Sequence, residues 1–112
     1  MLALWARYQE RGVGAAMNSM VCAGVVVSGG TVRRSILSPG VHVHSHALVE
    51  GSVVMHDADI GRGAIVRNAI LDKNVRIAPG AQVGVDPAAD KARFPVSPNG
   101  IVVVKKGANV EA

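Results

Sequence analysis

At 112 residues, 49% of them hydrophobic but only 3% aromatic, the chain has room for one domain, with a core of Val, Ile, Leu and Ala. A formal charge of +4 draws anions without naming one, and with only Trp5, Tyr8 and Phe94 to stack bases it provides no platform for nucleic acid. No uncharged apolar run approaches the roughly 18 residues of a membrane-spanning helix.

Residues 1–17 (MLALWARYQERGVGAAM) read as a linker or an incomplete element. Leu2 to Glu10 could form two helical turns, which are marginal in isolation, before Gly12 and Gly14 break them. A charged segment, an apolar core and a cleavage site do not follow one another here, so no secretory signal is expected. Cys22 has no second cysteine to pair with, which fits a reducing, cytoplasmic setting. It reads as a structural thiol, since no partner for a nucleophile is identifiable.

Residues 18–85 repeat with a period of 17. Val43, Ile60 and Ile77 keep that step, as do Val32, Val49, Val66 and Val83, then Leu37, Val54 and Leu71, and Gly30, Ala47, Ala64 and Ala81. A fixed period makes each row one structural unit stacked on its neighbours. Within a row, apolar residues come in pairs two apart (Val41/Val43, Ala47/Val49, Ala64/Val66), the spacing of a strand with one face buried. Ser38-Pro39-Gly40, Arg62-Gly63 and Pro79-Gly80 supply corners. Three short strands per row make a roughly triangular coil, so the expectation is an all-β stack of parallel, hexapeptide-repeat-like coils. Val25 and Val27 match Val41 and Val43 at a step of 16, implying one residue fewer at Ser28-Gly29-Gly30.

The third side carries adjacent bulky pairs: Ile36-Leu37, Val53-Val54 and Ile70-Leu71. Neighbouring strand residues face opposite ways, so Ile36, Val53 and Ile70 should form an outward stripe that docks another domain or subunit. The alternative is local bending that hides both columns. Residues 86–112 leave the repeat. DPAADKARF reads as a turn or short helix, and Ser97-Pro98-Asn99-Gly100 as the turn of a hairpin capping the open end.

His42, His44 and His46 alternate on one strand and, with His56, raise the question of a metal. Cβ atoms on one strand face lie about 7 Å apart, too far for three such histidines to share one tetrahedral ion, so a surface histidine ladder is expected and no metal site is assigned. A hexapeptide-repeat acyltransferase or metal-dependent enzyme is the alternative of a different class. The register from Val41 to Val85 has no inserted loop to build such a site.

The stretches NSMVCAGVVVSGG, RRSILSPGVHVHS, ILDKN and DPAADKARF, followed by GIVVV, resemble in this order the C-terminal domain of ADP-glucose pyrophosphorylase (glucose-1-phosphate adenylyltransferase), from about Asn18 to Lys106. The resemblance implies a left-handed parallel β-helix. It also implies a tetrameric parent that joins ATP and glucose 1-phosphate into ADP-glucose and pyrophosphate, under control by anionic effectors. The family's catalytic domain, with its Gly-rich loop and Mg²⁺-binding acids, is not found in these residues, so the chain reads as a fragment and no cofactor is assigned to it. The isolated chain is expected to be inactive; steady pyrophosphate release from ATP and glucose 1-phosphate would overturn that. By the same resemblance, Lys73 and Lys106 are effector-binding candidates for phosphate, with Arg76 and Arg93 weaker ones. The alternative is solvated surface lysines.

Overall fold

The computed structural model describes residues 15–17, 19–21 and 24–112. Almost every strand is parallel to its neighbours, and among the described residues they form three five-stranded sheets, one on each side of a triangular stack. The first side stacks Ala15–Met17, Thr31–Arg33, Leu48–Glu50, Ile65–Arg67 and Gln82–Val83. The second stacks Met20–Val21, Ile36–Leu37, Val53–Val54, Ala69–Leu71 and Val102–Val104. The third stacks Val26–Val27, His42–Val43, Asp59–Ile60, Arg76–Ile77 and Asn109–Val110.

The inward positions are the columns legible in the repeat. Val32, Val49, Val66 and Val83 line one side, Leu37, Val54, Leu71 and Val104 the next, and Val27, Val43, Ile60, Ile77 and Val110 the third. All are at most 3% exposed. Each coil can bury this face only against another coil, so stability comes from the contacts between rows.

Each corner turns through a residue with positive φ, recurring in register: Gly29, His46, Gly63 and Gly80 at one, Arg34, Gly51 and Asn68 at the second, Gly40, Asp57, Asn74 and Gly107 at the third. The shortened corner falls where the step changes. Val27 pairs with Val43, but Thr31 pairs with Leu48. A Cβ on Gly30 would approach Val43 Cγ1 at 2.8 Å and the His44 carbonyl oxygen at 2.9 Å, which accounts for glycine where later rows carry alanine.

At the corner between the first and second sides, Ser35 and Ser52 are buried. The Ser35 N–H donates to Ser19 Oγ (3.1 Å), the Ser52 N–H to Ser35 Oγ (3.1 Å) and the Ala69 N–H to Ser52 Oγ (3.3 Å). The Ser35 and Ser52 hydroxyls donate in turn to the carbonyls of Arg33 (2.8 Å) and Glu50 (3.0 Å). Buried hydroxyls are tolerated because each has both a donor and an acceptor to meet.

The stack begins earlier than residue 18: Ala15–Met17 already pairs with Thr31–Arg33, at a step of 16 that hides it from a search at 17. The rest of the expected linker, including the helical turns at Leu2 to Glu10, and Cys22 lie outside the described residues. After Val83 the chain leaves the stack through a short helix, Pro87–Arg93, capped by Asp86, whose carboxylate accepts from the N–H of Ala88 (3.0 Å). The expected hairpin is present in reduced form, as one antiparallel bridge between Val96 and Val102 around a turn closed by Gly100 N–H to Ser97 C=O (2.9 Å). Its second arm is also a rung of the second side, and Asn109–Val110 then continues the third. The spacing from Ala69 to its partner Val102 is nearly double the repeat, so periodicity alone could not show this return.

Candidate functional site

Three groups of side chains project from this scaffold. The first is the corner between the second and third sides. Leu71 pairs with Val104, and the Gly107 N–H donates to the Lys73 carbonyl at 2.9 Å, so Lys73 and Lys106 occupy the same corner of successive coils. Both are exposed. His56 precedes Lys73 at this corner one coil back, as the bond from Asn74 N–H to the His56 carbonyl (3.0 Å) records. The stacking follows from the return of the tail into the solenoid. Lys105 lies beside them, while Asp72 turns its carboxylate onto the Lys73 N–H at 2.7 Å. The corner therefore presents flexible ammonium groups suited to phosphate oxygens.

Arg76 and Arg93 do not join it. Arg76 is on the third side, between Asp59 and Asn109 in register. Arg93 donates to the Glu111 carbonyl at 2.7 Å and lies over the Phe94 ring, 5.1 Å from its centroid. A hollow of about 830 Å³ opens at the end of the stack, lined by Arg93, Phe94 and Lys105 among others. Lys73 and Lys106 are not among its lining residues.

The second group is the outward stripe. Leu37, Val54 and Leu71 are fully buried, so bending does not hide both columns. Ile36 is 42% exposed, Val53 and Ile70 are half-buried, and Val103, in register with Ile70, extends the stripe at 38%. Val103 could be found only once the return of the tail was known.

The third group is on the third side. His42 and His44 do not diverge: their rings stack at 3.9 Å between centroids with 18° between planes. Asp59, the register partner of His42 on the next coil, brings its Oδ1 to 2.8 Å from His44 Nε2. His46 is at the corner with a φ of 62° and leaves the group. Partial burial lowers the pKa of His42 below its ordinary value, the neighbouring His44 lowers it further, and Asp59 opposes both. Asp59 does not show in the alternation of the histidine strand alone; a step of 17 from His42 reaches it.

Elsewhere Glu50 sits among three arginines, with Arg34 Nη2 at 3.3 Å, Arg67 Nε at 3.7 Å and Arg33 Nη1 at 4.0 Å. Such half-exposed pairs contribute little stability individually. Among the described residues no helix is long and apolar enough to cross a membrane.

Comparison with known proteins agrees with this architecture. Residues 3–104 match the family model described as GlmU-like, C-terminal hexapeptide. The chain is 57% identical over 98 residues to a glucose-1-phosphate adenylyltransferase of Frankia casuarinae, an alignment covering 87% of this chain and 24% of that protein. It is 57% identical over 99 residues to the enzyme of the same name from Parafrankia sp., covering 88% and 24%. With that of Corynebacterium jeikeium it shares 52% over 93 residues, covering 83% and 23%. The matched region is the C-terminal part of these enzymes, so the chain spans about a quarter of the length of the curated relatives it matches. On the family match and the stacked coils together, the chain belongs to the GlmU-like C-terminal hexapeptide family.

Proposed function

We propose that these residues act as the regulatory and subunit-organising part of a glucose-1-phosphate adenylyltransferase. In this reading Lys73 and Lys106 hold the phosphate of an anionic effector, and the stripe of Ile36, Val53, Ile70 and Val103 packs against the catalytic part of the enzyme or a second subunit. The observation that carries the proposal is the stacking of the two lysines at one exposed corner, in a chain so similar to the C-terminal part of those enzymes. What supports this is the spacing of stacked strands, about 4.8 Å, which is within the span over which two lysine side chains on successive coils can turn toward one phosphate.

The test joins this chain to the catalytic part of the Frankia casuarinae enzyme in place of that enzyme's own C-terminal part. Lys73→Ala and Lys106→Ala should each raise the effector concentration for half-maximal activation about tenfold, the loss of one hydrogen bond to a charged group, with basal turnover retained. Unchanged activation in the double variant refutes the anion role. Replacing Ile36, Val53 and Ile70 with serine should shift sedimentation toward smaller species while the circular dichroism of the fold persists. An unchanged oligomer with unchanged solubility refutes the docking role.

A further inference from the structure

We propose that His42, His44 and Asp59 form a surface site for a borderline divalent transition metal such as zinc or copper(II). Their ligand atoms all lie within 4.8 Å of one another. Tetrahedral bonds of about 2.0–2.2 Å place ligand atoms roughly 3.3–3.6 Å apart. Closing that gap takes small side-chain rotations. The His44 and Asp59 side chains are 37% and 33% exposed, which leaves them room for that adjustment.

The scaffold provides the order that a site needs. His42 and Asp59 are fixed to adjacent strands by the register of the third side. His44 is held by its stacking on His42 and by the 2.8 Å contact to Asp59, so all three side chains are gathered at one place. Two imidazole nitrogens and a carboxylate oxygen suit zinc, nickel and copper(II) better than magnesium or calcium. Three protein ligands leave coordination positions open. Arg76 follows Asp59 in register, and its positive charge opposes a dication, so affinity should fall below that of a closed four-ligand site. The site lies on a different side of the triangle from Ile36, Val53 and Ile70 and shares no residue with the Lys73–Lys106 corner, so it stands or falls independently of the proposed function.

The test is calorimetric titration of the 112-residue chain with zinc chloride, in a Cys22→Ser background so that the lone thiol contributes nothing. One equivalent should bind. His42→Ala, His44→Ala and Asp59→Asn should each weaken binding about tenfold or more, since loss of even an outer partner costs that much. His46→Ala and His56→Ala should leave it unchanged. With copper(II), the electron paramagnetic resonance spectrum should show coupling to two imidazole nitrogens, reduced to one in His44→Ala. The proposal is overturned if zinc fails to bind at millimolar concentration, if the three variants bind as the parent does, or if binding is lost with His46 or His56 instead. Circular dichroism of each variant separates loss of ligands from loss of fold.

Discussion

Leu71→Ala should lower the unfolding free energy by about 2–5 kcal/mol, the cost of a buried leucine truncated where neighbours cannot collapse. Leu71 is fully buried and paired on both sides, to Val54 and Val104, so the void would open into two interfaces at once. A narrow stack has no second layer to shift inward. Urea titration should show a lower midpoint with an unchanged slope, the mark of a stability change without a change in the surface exposed. The same truncation one residue earlier, Ile70→Ala on the outward stripe, should cost about 1 kcal/mol or less, as half-exposed sites do. Equal losses at both positions would contradict the assignment of inner and outer columns.

Gly84→Ala should cost at least about 3 kcal/mol, from a left-handed backbone with a side chain added and a clash that cannot relax cheaply. Gly84 has a φ of 81°, and a Cβ there would fall on the carbonyl oxygen of Arg67, a strand residue of the coil before. Its N–H also donates to the Asp90 carboxylate at 3.2 Å. Asp90 is 5% exposed, so displacing Gly84 strips a buried carboxylate of a donor. Amide exchange should therefore accelerate first in Pro87–Arg93, ahead of the coils. Gly63→Ala and Gly80→Ala provide the comparison, with φ of 71° and 76° but nothing within 4 Å of the added carbon. They should cost about 1–2 kcal/mol, the left-handed backbone alone. If all three substitutions cost the same, the close approach to Arg67 is not what requires glycine at position 84.

The coils were legible because burial in a stack repeats: Val43, Ile60 and Ile77 occupy the same environment, so the same kind of residue recurs. The shortened corner at Ser28–Gly30 was visible for the same reason, as a slip in that recurrence. Where the environment changes, periodicity is silent. Val102–Val104 satisfies the second side as fully as the earlier strands do, yet the helix and hairpin intervene and its number gives no hint of its partner. The same return stacks Lys106 on Lys73. Asp59 was hidden differently: alternation along one strand places His42, His44 and His46 on a common face, but only stacking brings a carboxylate from the next row. The corner serines were overlooked because small polar residues near a bend ordinarily signal solvent, whereas here they point inward.

That serine ladder has a consequence for how the chain finds its fold. Rows so alike could dock one step out of place and still bury a continuous aliphatic strip, a hazard that irregular cores do not face. Aliphatic columns cannot tell one row from another. Hydroxyls mark where the series ends: Ser35 receives the amide of Ser52, and Ser52 that of Ala69, where the ladder stops because alanine has no side-chain oxygen to offer the following row. Above Ala69 the acceptor changes kind: the Val102 N–H donates to the Asn68 carbonyl instead of to a hydroxyl, so the rows that carry serine differ from the one that ends the series. The three serines thus act as a terminus mark, separating the rows that continue the ladder from the row that closes it.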